Sequence, residues 1–306
     1  MGKIVVLTGG SGGTKLVYGL AQILSPEQLT IIVNTGDDFE HLGLTISPNL
    51  DKTMYALAKA SLPGQGLKNE SWNMMAAMAR YRGPTWFQLG DRDLATQLLR
   101  SQLLREGYPL NWITKELAYR LGVHHTILPM SEAPVRTMVQ TAKGEVGLQE
   151  FLHQKQSSDA TGLQFAGAEQ AEPSRDVMSA IREAEVIIFG PDNPVISFGP
   201  LLAMPNLRRI LVASRAPKVA ISCCAGQQPN EPVNKIMTAM DVENSARGMA
   251  QYLRETLTHF VLDHDDEIQK SQLTKMGLQV LVTKTAMEGY EGQKWLAQEV
   301  LVFAQS

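Results

Sequence analysis

Residues 1–20 read MGKIVVLTGGSGGTKLVYGL. An apolar run, Ile4 to Leu7, meets glycines at positions 9, 10, 12 and 13 and then a stretch with helical apolar spacing. Strand, glycine turn and helix start form a phosphate-binding layout. Glycines let backbone N–H groups approach an anion, and the helix start adds its positive dipole. The stretch nevertheless fits neither common template. G-x-G-x-x-G requires glycine where Lys15 stands, and G-x-x-x-x-G-K-[ST] requires glycine at Thr14 and Ser or Thr at Leu16. Gly10, Gly12 and Gly13, with Lys15 as a point charge, are the candidate phosphate contacts; the alternative is a tight strand-to-helix turn with no ligand.

The same alternation continues outward. LTIIVNT reads as a second strand, and a helix is expected over residues 51–59 and another in SWNMMAAMARY. WFQL reads as a short strand before a helix carrying Leu94, Leu98 and Leu99 on one face; NWITKELAYRLG is helical and HHTILPM a strand. Residues 131–172 differ: VRTMVQTAKGEVGLQEFLH alternates around AKGE as a β-hairpin would, and a short strand follows. Beyond it, VIIFG, RRILVAS, PKVAISCC and VLVTKT read as strands, and helices are expected over 244–258 and 289–304. Near-continuous apolar strands between helices predict an α/β, Rossmann-like, doubly wound, mainly parallel sheet. The chain reads as one domain over 1–306, with 131–172 a smaller β-rich insertion.

Ligands of such sheets bind at the carboxyl ends of the strands, so the strand-end loops are the place to look. The second, NTGDDFEHLGLTISPNLD, offers Asp37 and Asp38. They suit a ribose or, with Asp51, a Mg2+ site of hard oxygen ligands. Asp51 also reads as an ordinary first-turn acid favoured by the helix dipole. In LGDRD, Arg92 can fork onto a phosphate, or it belongs to a surface ion-pair cluster with Asp91 and Asp93; Lys68 and Arg100 read as surface charges. In FGPDNPVISFGPLL, Gly190 allows close backbone approach and Asn193 and Ser197 supply neutral hydrogen-bonding groups.

Bulk properties narrow the function. A net charge of -3 and a pI of about 6.1 argue against a general nucleic-acid-binding surface. The two cysteines, Cys223 and Cys224, are adjacent, which suits neither a stabilising disulfide nor zinc. No apolar run reaches the roughly 18 residues of a membrane helix, and no signal-peptide pattern opens the chain. The expectation is a cytoplasmic protein acting on small molecules. No H-E-x-x-H or C-x-x-C motif anchors zinc chemistry.

Taken in order, LTGGSGGTKL, NTGDDFEHLGLTISPNLD, LGDRDLATQLLR, ILPMSEAPVRT and GPDNPVISFGPLL resemble the serial motifs of the 2-phospho-L-lactate transferase family, which acts in coenzyme F-420 biosynthesis. The resemblance runs from about residue 3 to beyond 200, with GQQPNEPVNKIM (226–237) a weaker extension. It implies transfer of a phospholactyl-type group from a guanosine diphosphate adduct to the ribityl hydroxyl of the deazaflavin Fo, with release of GMP. Bacterial relatives use a phosphoenolpyruvyl or 3-phosphoglyceryl adduct instead. It further implies Mg2+ as cofactor and a homodimer. Asp51 matches the acid that contacts Fo and Arg92 the basic position beside it. Asp37 and Asp38 match acids at the metal or the ribityl end, with Asp37 or Asp51 orienting and deprotonating the hydroxyl. Gly10, Gly12, Gly13, Lys15 and Gly190 would line the phosphate and nucleotide end, and Asn193 and Ser197 would complete the pocket. Lys235 is kept, although NEPVNKIM stands where the family carries a glycine- and lysine-rich stretch. Two other readings are set against this one. Gluconeogenesis-factor proteins, which share the fold and bind a UDP-sugar, carry a G-S-L-Y/F-T-S-I-like loop where GPDNPVISFGP stands. An NAD(P)-dependent dehydrogenase is disfavoured by the broken G-x-G-x-x-G.

Overall fold

A computed structural model describes residues 2–60, 67–153, 159–223 and 230–306. Strand β1 (Ile4–Thr8), helix α1 (Ser11–Ala21) and β2 (Leu29–Val33) open the chain. A hairpin of β3 (Phe39–His41) and β4 (Leu44–Ile46) precedes α2 (Pro48–Leu57), α3 (Asn73–Arg80), α4 (Asp91–Arg105) and α5 (Leu110–Arg120). After β5 (Thr126–Pro129) come β6 (Arg136–Thr141), β7 (Gly144–Gly147), α6 (Leu148–His153) and β8 (Ala160–Ala166). The chain then runs through α7 (Arg175–Glu183), β9 (Val186–Phe189), a π-helical turn (Pro194–Phe198), α8 (Gly199–Leu202), α9 (Pro205–Ala213) and β10 (Lys218–Ile221). It closes with α10 (Glu231–Ala239), α11 (Ala246–Leu253), β11 (His259–Asp263), α12 (Lys270–Lys275), β12 (Gln279–Thr283) and α13 (Gly289–Phe303).

Seven strands form one parallel sheet in the order β12-β11-β10-β9-β1-β2-β5. Strand alternation splits its apolar residues between two layers. Ile4, Val6, Ile31, Val33 and Ile188 join the core under α1, α2, α5 and α13. Val5, Leu7, Ile32, Ile187 and Phe189 join the core under α7, α9 and α11. This is the expected doubly wound α/β architecture. No single helix among the described residues is long and apolar enough to cross a membrane.

Within 131–172 lies an antiparallel sheet, β7-β6-β8. It sits on the carboxyl ends of the main sheet: the Thr137 amide donates to Gly36 O at 2.8 Å, and the Phe165 ring packs over Gly199. The expected hairpin covers only β6 and β7, because LQEFLH turns helical as α6 to bury Leu148 and Phe151.

Other expectations are corrected. WFQL forms no strand: Leu89 and Phe87 pack on Leu44, Ile46 and Met75 beneath the β3–β4 hairpin, and the edge of β2 belongs to β5. RRILVAS is the helix α9, with Pro205 at its start and Leu207 and Leu211 buried four apart on one face. The helix expected over 244–258 ends at Leu253, and His259–Asp263 forms an internal strand that the sequence reading missed. The β3–β4 hairpin was also missed. Its turn uses Leu42 and Gly43 at φ 54° and 72°, left-handed positions where Asn-Gly is the usual signal. Cys224 and residues 226–229 of GQQPNEPVNKIM lie outside the described residues.

Candidate active site

The strand order reverses beside β1, with β2 on one side and β9 on the other. The crevice between β1 and β9 is therefore where a doubly wound sheet binds ligands. Here an internal carboxylate fills it. Asp192, buried in the loop after β9, accepts hydrogen bonds from Thr8 Oγ1 at 2.9 Å, Gly9 N at 3.0 Å and Gly13 N at 2.8 Å. Burial raises its pKa and these donors oppose the rise. The glycines serve this contact between loops. A Cβ on Gly12 would stand 2.0 Å from Pro191 O, one on Gly13 2.1 Å from Thr8 Oγ1, and one on Gly190 2.8 Å from Gly13 Cα. A Cβ on Gly10 would meet Asp192 Oδ1 at 2.5 Å. Asn193 is used locally: its Oδ1 accepts from the amides of Val195 and Ile196 at 3.0 Å, capping the π-helical turn. Ser197 is buried against Gly9. Two donors of the glycine turn are thus spent inside the protein. The amides of Ser11 and Gly12 find no acceptor among the described residues, and Lys15 is half-buried on the first turns of α1.

The open chemistry lies on the other side of α1, in a cavity of about 300 Å3 lined by Ser11, Asp51, Lys52, Tyr55, Asp93 and Gln97 among others. Asp51, in the first turn of α2, is clasped by Arg100 of α4. Nη2 bonds Oδ1, Nη1 bonds Oδ2 at 3.0 Å, and Gln97 Nε2 adds a bond to Oδ2 at 2.7 Å. Arg100 is 0% exposed, so its reading as a surface charge is corrected. Expulsion of a guanidinium from water is tolerated because a carboxylate meets it bidentately. The same finding corrects part of α4: Leu94 and Leu99 pack against apolar clusters as expected, but the most buried face is polar. Its buried residues are Gln97, Arg100 and Ser101, while Leu98, assigned to the apolar face, is 49% exposed.

Asp93, one turn before Gln97, accepts from Tyr55 Oη at 2.8 Å and Gln97 Nε2 at 3.0 Å through Oδ1. Burial, reinforced by the Asp51 charge, pushes its pKa up to about 6. Arg92 points outward and donates to Lys68 O at 2.7 Å. Glu70 caps the start of α4 by accepting from the amides of Arg92 and Asp93 at 2.7 and 3.2 Å. Asp91 caps α3 instead, and the Met74 amide leads the donors that hold it down at about 2.

Asp37 and Asp38 follow β2. Asp37 accepts from Asn34 Nδ2 and Asn49 Nδ2, both at 3.0 Å. Burial raises it to about 6 against those bonds and the charge of Lys52. Asp38 Oδ2 accepts from Ser47 Oγ at 2.7 Å, while Oδ1 is buried with no hydrogen-bond partner. Burial raises Asp38 to about 7. Among the described residues no three His, Cys, Asp or Glu side chains form a cation cage. Asp38 Oδ1, a buried oxygen without a hydrogen-bond partner, is of the kind that fits a hard cation, whereas each Asp37 oxygen already accepts an amide hydrogen. Lys235, on α10, pairs with Asp159 at 3.3 Å and Glu231 at 3.1 Å.

The structure therefore brings Asp51 into a cavity with residues the sequence reading did not name as site groups: Lys52, Tyr55 and Gln97, together with Asp93 and the buried Arg100. A signal existed. Asp93, Gln97 and Arg100 recur at i, i+4 and i+7, a polar stripe on one face of a helix.

Comparison with known proteins agrees with these features. The family model described as 2-phospho-L-lactate transferase CofD matches residues 4–291. A phosphoenolpyruvate transferase of Kitasatospora aureofaciens is 35% identical, covering 99% of this chain and 98% of its own. A 2-phospho-L-lactate transferase of Methanosarcina mazei is 33% identical over 97% of this chain and 99% of its own. The crystal structure of a UPF0052 family member from Bacillus halodurans shares the fold, with a TM-score of 0.65 and 16% identity over 98% of both chains. With its motifs in order, its acids at the carboxyl ends of the strands and a family match across most of its length, the chain belongs to the 2-phospho-L-lactate transferase CofD family of phosphotransferase enzymes.

Proposed function

We propose that the enzyme transfers a phospholactyl-type group (2-phospholactyl, phosphoenolpyruvyl or 3-phosphoglyceryl) from a guanosine diphosphate adduct to the ribityl hydroxyl of Fo, releasing GMP. The observation that carries this reading is the cavity where Ser11 at the start of α1 and Lys52 face Asp51 and Asp93. It joins anion-binding donors to acids that can hold a hydroxyl, which is what in-line phosphoryl transfer to an alcohol requires. The free amides of Ser11 and Gly12, with Lys52 and Lys15, take the donor's phosphates. Asp51, fixed by Arg100, orients the acceptor, and Arg92, which now donates to Lys68 O, would have to turn inward to reach it. Asn193, Ser197 and Gly190 shape the neighbouring loops rather than touch substrate. Asp38 Oδ1 would hold Mg2+, which when bound would supply charge neutralisation for the leaving GMP.

The relatives above are named for phosphoenolpyruvate and for phospholactate at nearly equal identity. The test is accordingly a competition: protein, Fo and Mg2+ with each of the three adducts, the products identified by mass. One phosphodiester-linked Fo product and an equal yield of GMP are expected. GMP release without modified Fo, or binding of a UDP-sugar with no transfer, sinks the reading. It also takes the enzyme as a cytoplasmic homodimer, which sedimentation of the purified protein tests.

A further inference from the structure

Transfer to an alcohol needs a group that accepts the hydroxyl proton, and Asp51 is poorly equipped for it. Arg100 and Gln97 place three hydrogen bonds on its two oxygens, which takes up most of the lone-pair sites of a carboxylate. Asp37 accepts one hydrogen bond on each oxygen, from Asn34 and Asn49, and is not among the residues that line this cavity.

Asp93 differs. It lines the same cavity as Asp51. Two donors, Tyr55 Oη and Gln97 Nε2, fix its Oδ1, while no donor among the described residues reaches Oδ2. The Tyr55 hydroxyl lies 2.8 Å from both Asp93 Oδ1 and Thr96 Oγ1. Having one hydrogen, it gives that to the carboxylate and receives the Thr96 hydrogen. The carboxyl plane is thus set and one oxygen is left for a substrate.

We propose that Asp93 is the general base of the transfer, accepting the acceptor's hydroxyl proton on Oδ2, with the Arg100–Asp51 ion pair holding the helix that presents it. This rests on the reaction proposed above. The hydroxyl oxygen forms a bond to the phosphorus that carries the O-linked lactyl, enolpyruvyl or glyceryl group. The bond from that phosphorus to the bridging oxygen breaks, its electron pair leaves with GMP, and the proton moves to Asp93 and then to water.

The surroundings suit this role. Asp51 and Tyr55 face Asp93 from α2, Arg100 and Gln97 from its own helix, Glu70 from the loop before α3, and Lys52 across the cavity. Burial and the Asp51 charge raise Asp93 to about 6, against Tyr55, Gln97 and Arg100. A base in that range is ionised at neutral pH and still basic enough to take a proton.

The test uses the full chain with Fo and the adduct that the wild type accepts. Wild-type kcat should fall about tenfold per pH unit below about 6. Asp93→Asn should lose roughly 100- to 10,000-fold in kcat, keep KM for both substrates and lack the acidic limb, while Asp93→Glu recovers part of the rate. Tyr55→Phe, which removes only a donor that favours the carboxylate, should move the limb to higher pH. If the wild type forms no product from any adduct, the reaction and the base assignment fall together. If the wild type turns over and Asp93→Asn keeps its rate and its limb, the base assignment alone falls. Should Asp93→Asn not fold, an unmoved limb in Tyr55→Phe overturns the assignment.

Discussion

The two crevices flanking the glycine turn use their polar groups in opposite ways. Between β1 and β9, Asp192 satisfies Thr8, Gly9 and Gly13, and Asn193 satisfies the next turn. Between α1, α2 and α4, no hydrogen bond or close ion pair among the described residues closes Asp93 Oδ2, the Lys52 ammonium or the Ser11 amide. The topological switch point is closed by the protein's own groups, and the cavity with open polar groups stands one element away. A glycine-rich turn therefore need not spend its glycines on a ligand: Gly12 and Gly13 are required first because another loop lies against them.

The largest expected effect comes from breaking the ion pair that braces the open side. Arg100→Met should cost about 3–5 kcal/mol in denaturant unfolding, because Asp51 is left buried and uncompensated. Arg92→Met, on the exposed face of the same helix, should stay within about 0.5 kcal/mol. Equal costs would erase the distinction between the two arginines.

On the closed side, Gly12→Ala should cost roughly 1–3 kcal/mol by overpacking, since its Cβ meets the Pro191 carbonyl, a backbone atom that cannot step aside. Asp192→Ala should cost a similar amount, about 1–3 kcal/mol, for donors left unpaired. That variant also sharpens the comparison. With the internal carboxylate gone, inorganic phosphate should raise its melting temperature more than it raises the wild type's. Equal responses would mean that the turn is no anion site even when emptied.

A smaller effect is set by pH. The folded pKa of Asp93, about 6, lies above the ordinary aspartate value of 3.8, so between these values the native state holds the extra proton. Its contribution to stability is present below about pH 4 and lost as pH rises through 6. The stability of Asp93→Asn relative to wild type should therefore rise between pH 4.5 and 7.5, as paired urea melts can show. The smallest effect is that of Lys235→Ala. Its ion pairs with Asp159 and Glu231 are exposed on the acid side, and a change within about 1 kcal/mol is expected.

Much of the sheet was legible because strands covered on both faces have to be apolar throughout, as IVVLT and VIIF are. What escaped were segments whose signal is shared between two structures. RRILVAS is as apolar as a strand, and only Pro205 marks it as a helix. HFVLD lay hidden between a helix read too long and an acidic turn. In the site, Asp51 was legible from its motif. Its partner was not, since a lone arginine on a helix looks like solvent-facing charge until the fold shows which face is buried. Asp192 was passed over within GPDNP because its ligands are main-chain amides of a loop nearly 180 residues away.

The packing of α13 on α1 has a consequence for how the enzyme is made. Gly19 of α1 lies so close to α13 that a Cβ there would stand 2.2 Å from Gln293 O, and β9, which brings Asp192, pairs directly with β1. The first helix is therefore seated by residues translated long after it. Until they emerge, a nascent chain carries its glycine turn without the helix that packs behind it.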